Sequence, residues 1–148
     1  MKIYIGSDHN GYDLKRSLTE LLTKMGHEVI DGGNETQDPK DDFPVFAARV
    51  VNGMLSDKTG DSMGILLCGS GQGMCMAANR FKGIRACLAW DRESARAARN
   101  DDDSNILCLP ARMIDFNQAK EIVESWLNTS FAGAPRFVRR INEMDQLN

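Results

Sequence analysis

Apolar and polar residues follow two alternating patterns along this chain, and together they predict strands separated by helices. Short apolar runs bounded by turn residues predict five strands, at residues 2–8, 27–31, 62–68, 84–90 and 105–111. Between these runs, apolar residues recur at helical spacing. Helices are therefore predicted at residues 14–25, 44–55, 73–81, 91–100 and 116–128, with a terminal helix that starts at Pro135.

This order of elements predicts an α/β fold. Strands that alternate with helices form an open, mostly parallel sheet with helices on both faces. The run SMGILLC, residues 62–68, is apolar at nearly every position, as expected for a strand in the buried middle of such a sheet. Ligands bind these sheets beyond the carboxyl ends of the strands, so the loops after strands one, three and five are the expected site. The length of 148 residues predicts a single domain, 1–148.

Composition and charge argue against several classes of protein. A net charge of −3 gives no general attraction to nucleic acid or to an anionic membrane, so an anion site must come from a local basic cluster. No apolar segment reaches the roughly 18 residues of a membrane span, and the N-terminal region lacks a secretory core, so a cytoplasmic location is expected. Two histidines and four cysteines without a Cys-x-x-Cys pair do not favour a zinc site. Cys75, Cys87 and Cys108 are expected to be small buried side chains.

The segment GILLCGSGQGM, residues 64–74, carries the clearest chemical signal. An apolar strand ends in a cysteine, and three glycines then alternate with small polar residues. The loop matches neither the dinucleotide fingerprint nor the nucleotide P-loop. What remains is a strand-to-helix turn whose backbone N–H groups suit an oxyanion, with a merely tight turn as the alternative.

Cys68 ends the strand directly before this loop, so its thiol is expected to face the ligand crevice. A nucleophilic cysteine needs a histidine base, and only His9 is a candidate. A thiolate that removes a proton from a carbon next to a carbonyl needs only N–H donors for the enediolate oxygens. A buried structural thiol is the third interpretation.

Two further groups of residues are candidates for ligand contacts. Asp8 and His9 follow the first strand, either as ligand contacts or only as a turn and helix cap. Arg136 and Arg140 are four residues apart on the predicted terminal helix and share one face, which suits a phosphate or a solvated surface. Arg112, just past the fifth strand, is placed to join them.

Six motifs spread along the chain together resemble one known family. They run in order from residue 3 to about residue 140 and comprise GSDHNGYDLK, DDFP, GILLCGSGQGM, AANRFKGIRA, ARM and PRFVRR. This combination resembles the ribose-5-phosphate isomerase B family, which includes the galactose-6-phosphate isomerase subunits. The resemblance implies a Rossmann-like three-layer α/β/α sandwich with a five-stranded parallel sheet and a C-terminal helix. It also implies aldose–ketose isomerisation of a phosphorylated sugar through a cis-enediolate, without a metal or cofactor.

The resemblance further implies an assembly and a set of residue roles. The family forms homodimers whose active sites draw on both subunits, and whether dimers pair into tetramers stays open. By this likeness Cys68 moves the proton between C1 and C2, and Ser70 assists proton transfer between the oxygens. Three N–H groups hold the enediolate and three arginines bind phosphate. The implied substrate contacts are Asp8, His9, Phe43, Gly69, Gly71, Gly73, Asp102, Arg112, Arg136 and Arg140.

Four residues depart from the family pattern. Asp101 and Asp102, in RNDDDSN, stand where the family usually carries a His-Asn pair that opens the furanose ring. Phe43 replaces a common tyrosine, and Phe137 replaces a histidine between the arginines. Taken alone, the acidic segment NDDDS, residues 100–104, is typical of a surface turn or helix cap.

Three hypotheses about the substrate follow from these departures. Asp101 takes over ring opening as a general base, the substrate is a four-carbon phosphate that needs no ring opening, or the pocket accepts another pentose or hexose phosphate. The conversion of ribose 5-phosphate to ribulose 5-phosphate is the leading prediction. A non-catalytic sugar-phosphate-binding protein and a cysteine hydrolase are the alternatives, and the presence of Cys68 and Ser70 favours an enzyme over a binding protein.

Overall fold

The computed structural model describes residues 1–147, which form five strands and six helices in alternation. The strands are β1 (Lys2–Ser7), β2 (Glu28–Asp31), β3 (Ser62–Cys68), β4 (Ala86–Leu88) and β5 (Ile106–Pro110). The helices are α1 (Tyr12–Lys24), α2 (Phe43–Ser56), α3 (Gln72–Ala78), α4 (Arg92–Asp102), α5 (Phe116–Leu127) and α6 (Pro135–Asp145). None of these helices is long and apolar enough to cross a membrane.

All five strands are parallel and lie in the order β2-β1-β3-β5-β4. The chain first adds β2 on one side of β1 and then β3 on the other, so the strand order reverses between β1 and β3. A crevice opens at the carboxyl ends of two strands at such a reversal. The predicted α/β sandwich is confirmed, and Cys68 is the last residue of β3 at this point.

Two apolar cores cover the two faces of the sheet. Because side chains alternate along a strand, Ile65 and Leu67 pack against α1 and α5, whereas Leu66 and Cys68 pack against α2 and α3. On the α1 and α5 face, Trp126 is fully buried and donates its Nε1–H to the Ser104 hydroxyl at 2.8 Å. The thiol of Cys68 therefore faces the layer formed by α2 and α3.

The predicted elements are all present, and their ends differ for local reasons. The first helix starts two residues earlier than predicted, because a 3₁₀ turn at His9–Gly11 leads directly into it. Strand β4 is shorter than the predicted 84–90, since it lies at the sheet edge and pairs only with β5. Helix α4 continues through Asp101 and Asp102 and ends at Asp103, which adopts a left-handed conformation with φ 47°. The two aspartates thus belong to the last turn of a helix and not to a loop.

Candidate active site

Cys68 lies at the floor of the crevice between the ends of β1 and β3. Its side chain is only 5% exposed. The chain after β5 continues alongside the end of β3, because the N–H of Ala111 donates to the Cys68 carbonyl at 2.9 Å and that of Arg112 to the Gly69 carbonyl at 3.0 Å. The thiol, the glycine loop and Arg112 are therefore held together by backbone hydrogen bonds.

The three glycines of the loop each make room for a different neighbour. A Cβ atom on Gly69 would lie 3.2 Å from Cδ of Arg112, so the Arg112 side chain rests on this residue. A Cβ on Gly73 would lie 2.8 Å from Cζ of Phe43, so the aromatic ring covers the start of α3. Gly71 has a φ of 74°, which disfavours any other residue. The loop thus brings Phe43 and Arg112 to the same crevice as Cys68.

The backbone N–H groups of this loop are available to a ligand. Within residues 1–147, the N–H groups of Gly69, Gly71 and Gly73 donate to no protein acceptor. The Ser70 hydroxyl accepts a weak hydrogen bond from the N–H of Gln72 at 3.4 Å. Unpaired donors beside a buried thiol form an environment that stabilises an oxyanion.

Asp8 and His9 lie beside the same strand end. The N–H of Asp8 donates to the carbonyl of Leu67, the residue before Cys68, at 3.2 Å. The Asp8 carboxylate is 6% exposed and accepts the N–H of Asn10 at 2.9 Å, which caps the 3₁₀ turn. Asp8 therefore fits both interpretations given from the sequence: it caps the 3₁₀ turn, and it lies beside the crevice where a ligand contact is predicted.

His9 has a partner that the sequence analysis did not assign. Its Nδ1 lies 2.8 Å from Oδ1 of Asp41, a residue of the DDFP motif just before α2. The side chain of Asp41 is 9% exposed and that of His9 is 29% exposed. The motif was the only signal for this contact, because the two residues are separated by 32 positions in sequence.

Asp101, Asp102, Arg136 and Arg140 form a second group on α4 and α6. The side chain of Asn100 donates to Asp101 Oδ1 at 2.7 Å. Burial and, after it, the charge of Asp101 raise the pKa of Asp102, while the guanidinium of Arg140 acts in the opposite direction. Arg140 is therefore close enough to Asp102 to affect its ionisation.

Phe137 lies between Arg136 and Arg140 in the sequence of α6 and packs against Arg136. It is 8% exposed, and the Arg136 guanidinium lies 4.6 Å from the centre of its ring. This arrangement is a cation–π contact, which restrains an otherwise exposed arginine. The residue that departs from the family pattern here thus supports Arg136 instead of offering a hydrogen bond.

The two groups lie at opposite ends of the strands, the Cys68 group at the carboxyl ends and the acidic pair near the amino ends. Cys68 pairs with Pro110 at the carboxyl end of β5, whereas Ile106 starts that strand. Asp102 precedes Ile106, and its carbonyl accepts a hydrogen bond at 3.2 Å from Nε of Arg85, just before β4. Four residues of strand span roughly 13 Å. One chain therefore brings nine of the predicted site residues together and leaves four apart: Asp101, Asp102, Arg136 and Arg140.

The other three cysteines differ in exposure and in acidity. Cys108 is fully buried, as predicted, whereas Cys75 and Cys87 are only half-buried. Burial raises the pKa of Cys87 to about 11 and also raises the pKa of Cys108, while a hydrogen bond with Cys108 lowers the pKa of Cys75. In the part of the chain that the structure describes, no group of three or more His, Cys, Asp or Glu side chains is placed to hold a metal ion.

Comparisons with known proteins identify the family. The family model described as Ribose/Galactose Isomerase matches residues 3–144. Ribose-5-phosphate isomerase B of Mycolicibacterium paratuberculosis is 38% identical over 142 residues, 96% of this chain and 88% of the relative. The crystal structure of a ribose 5-phosphate isomerase from Thermotoga maritima has a TM-score of 0.92 and 42% identity, covering 99% of this chain and 98% of that one. Ribose-5-phosphate isomerase B of Mycoplasma genitalium, solved with bound ribulose-5-phosphate, has a TM-score of 0.92 and 39% identity, covering 97% of this chain and 93% of that one. These matches confirm the resemblance carried by the motifs, and the chain belongs to the Ribose/Galactose Isomerase family.

Proposed function

We propose that this isomerase interconverts ribose 5-phosphate and ribulose 5-phosphate, with Cys68 as the residue that moves the proton between carbons. One observation carries the proposal. A nearly buried thiol lies at the reversal point of the sheet, directly before a loop with unpaired N–H groups. This pairing of a base with oxyanion donors suits proton transfer next to a carbonyl.

The proposed reaction balances within the substrate and one thiol. The Cys68 thiolate removes the proton from C2 of the open-chain aldose, and the electron pair forms the enediolate. The N–H groups of Gly69, Gly71 and Gly73 stabilise the negative oxygen. Ser70 assists transfer of the proton from O2 to O1, and Cys68 returns its proton to C1 to give the ketose.

The site is proposed to be shared between two copies of the chain. Arg136 and Arg140 lie on α6 and the acidic pair lies on α4, while Cys68 lies at the opposite end of the strands. A substrate with a five-carbon backbone is too short to contact the Cys68 group and the α4 and α6 group of the same chain. A homodimer that sets the α6 of one copy against the crevice of the other supplies Arg136 and Arg140 to Cys68. We also propose that the dimer is cytoplasmic, as the sequence predicts.

The acidic pair bears on the choice of substrate. Opening a furanose ring needs a proton donor and a proton acceptor. Asp101 is proposed as the proton acceptor, and Asp102, whose pKa is raised by burial and by the charge of Asp101, is proposed as the donor beside it. This arrangement supports ring opening by the pair, and so a five-carbon substrate. The second candidate is a four-carbon aldose phosphate, favoured because both family residues for ring opening are replaced.

Proton NMR in D₂O tests the proposal. Purified protein is incubated in turn with ribose 5-phosphate, erythrose 4-phosphate and allose 6-phosphate, and deuterium uptake at C2 is followed together with ketose formation. We expect both with ribose 5-phosphate, and exchange with erythrose 4-phosphate alone would select the four-carbon substrate. Cys68→Ala is expected to remove exchange, whereas Cys87→Ala, which changes a half-buried thiol on the edge strand, is expected to leave it intact. Equal exchange by wild type and Cys68→Ala would contradict the role of the thiol.

A further inference from the structure

We infer that Asp41 is a positioning residue that sets the orientation and tautomer of His9, and that the loop before α2 is built to support this contact. The inference rests on the proposed isomerase function only for its kinetic consequence. Its structural part concerns contacts between His9 and the loop formed by residues 34–41, called here the His9 loop. Neither Asp41 nor this loop has a role in the reaction proposed above.

A single carboxylate oxygen holds His9 at two points. Oδ1 of Asp41 accepts the backbone N–H of His9 at 2.9 Å and lies 2.8 Å from its ring Nδ1. An ionised carboxylate can only accept hydrogen bonds, so Nδ1 must carry a proton. In the neutral imidazole, Nε2 is then the unprotonated nitrogen. Within residues 1–147, Nε2 makes no hydrogen bond, which leaves it for a ligand.

The rest of the His9 loop restrains the same residue. The side-chain amide of Gln37 donates to the carbonyl oxygen of His9 at 2.8 Å. The other oxygen of Asp41 accepts a hydrogen bond from Asn34 Nδ2 at 3.4 Å. The backbone N–H, the carbonyl oxygen and the ring of His9 are therefore all bonded to one loop. A loop that only connected β2 to α2 would not need contacts at all three points.

An ion pair between a buried lysine and a partly exposed aspartate anchors the start of this loop. The Lys15 side chain is 1% exposed, and its Nζ lies 2.8 Å and 2.7 Å from the two oxygens of Asp31 at the end of β2. The same carboxylate accepts the N–H of Gly33 at 2.7 Å, and the Tyr12 hydroxyl donates to the Glu35 carbonyl at 2.6 Å. Helix α1 and β2 thus fix the loop at its base, and the loop fixes His9.

This arrangement determines what His9 offers to a substrate. With Nδ1 bonded to a carboxylate, the ring is held in one orientation and Nε2 faces any group that enters beside it. Neutral His9 then accepts a hydrogen bond from a substrate hydroxyl, and charged His9 donates one to a phosphate or carbonyl oxygen. Removal of a carboxylate that orients a metal-ligating histidine costs roughly 10- to 100-fold in affinity or activity, and we expect a loss at the lower end of that range here.

Nitrogen NMR of the imidazole rings tests the inference directly. The chain contains only two histidines, His9 and His27, so a His27→Gln variant leaves a single ring to observe. We expect ¹⁵N shifts of protonated Nδ1 and unprotonated Nε2 for His9 at neutral or mildly alkaline pH. Asp41→Ala in the same background is expected to produce a mixture of tautomers. An unchanged His9 spectrum in Asp41→Ala would overturn the inference.

Kinetics supply the second readout, with controls in the same loop. Asp41→Ala is expected to lower kcat/KM roughly 10-fold or more, while Asp41→Asn, whose amide oxygen still accepts both hydrogen bonds, recovers part of the loss. Asp38→Asn makes the same acid-to-amide change as Asp41→Asn at an exposed position, where within residues 1–147 the side chain accepts only the N–H of Lys40, and it is expected to retain wild-type kinetics. Equal losses in Asp38→Asn and Asp41→Ala would reduce the effect to loop stability and overturn the inference. A wild-type protein without turnover would refute the proposed function alone, because the tautomer measurement needs no substrate.

Discussion

Cysteine occupies four different environments in this protein, and the environment determines what each thiol can do. Cys68 ends a central strand beside unpaired N–H groups, whereas Cys108 is sealed in the core between the sheet and α2 and α3. Cys87 lies on the edge strand, and burial there raises its pKa to about 11. Position in the sheet, and not residue type, separates a candidate base from a packing residue.

The raised pKa of Cys87 predicts a loss of stability at high pH. The unfolded thiol ionises near pH 8.5, while the folded thiol keeps its proton up to about pH 11. Its contribution is therefore complete below pH 8.5 and is lost as the pH rises to 11. The full change corresponds to about 3.4 kcal/mol, of which about 2–3 kcal/mol is lost between pH 8 and pH 10.5. Urea unfolding at pH 8 and pH 10.5 measures it.

Cys87→Ala provides the comparison for this measurement. The variant lacks the titrating group, so its free energy of unfolding is expected to fall less than that of wild type between the two pH values. Tyrosine and lysine titration is common to both proteins and cancels in the difference. Parallel pH profiles for wild type and variant would show that Cys87 does not carry the effect.

Asp101 gives a prediction that depends on the substrate. If the acidic pair opens the sugar ring, Asp101→Asn lowers turnover of ribose 5-phosphate by roughly 10²-fold or more, since acid–base groups contribute on this scale. Erythrose 4-phosphate has no ring of the same kind to open, and its isomerisation serves as the internal control. Steady-state rates with both sugars measure the ratio. A proportional loss on both substrates would assign Asp101 to binding instead of ring opening.

At the scale of elements, the turn between β3 and α3 is set by backbone conformation and by lack of space. Gly71 has a φ of 74°, and a Cβ there would lie 2.5 Å from Cδ1 of Leu88 and 3.0 Å from the carbonyl carbon of Leu109. Leu109 belongs to the backbone of β5, which cannot move without breaking its pairing with β3. The turn, and with it the position of Cys68, depends on this glycine.

A comparison of Gly71→Ala with Gly83→Ala separates the cost of backbone strain from the cost of a steric clash. Gly83 has a φ of 83° and no atom within 4 Å of an added Cβ, so its substitution introduces only strain, about 1–2 kcal/mol. Gly71→Ala adds a collision with β5, and we expect a further loss of about 1–3 kcal/mol together with loss of activity. Urea denaturation of both variants measures the difference. Equal destabilisation would mean that the loop shifts to accommodate the methyl group.

Local patterns predict these elements well, but not the contacts between distant ones. The place of Cys68 at the end of an apolar run, directly before the glycine loop, was sufficient to predict that it lies at the carboxyl end of a strand beside the expected ligand site. The contact between His9 and Asp41 was not predictable, because it depends on the path of a polar loop that has no periodicity. The end of α4 was also missed, because Asp102 and Asp103 are typical of a turn and only the left-handed cap at Asp103 shows where the helix stops.

At the scale of the whole molecule, the proposed division of the site between the two ends of the strands leads to a test of assembly. If each site takes Cys68 from one copy and Arg140 from another, Cys68→Ala and Arg140→Ala are both inactive alone. A dimer that contains one chain of each kind has one intact site and one doubly defective site. Random mixing by co-refolding makes half of the dimers mixed, so about a quarter of the wild-type activity is expected to return.

A second pair of variants makes this result specific. Cys68 and His9 lie together at the carboxyl ends of the strands in one chain, so both belong to the same site. A mixed dimer of Cys68→Ala and His9→Ala therefore has one defect in each of its two sites and is expected to stay inactive. Two different affinity tags isolate the mixed dimers, and ketose formation measures their activity. Recovery with Arg140→Ala but not with His9→Ala requires a site built from two copies. Isolated mixed dimers that remain inactive with both pairs would instead place the complete site within one chain, against the roughly 13 Å of sheet that separate its two halves.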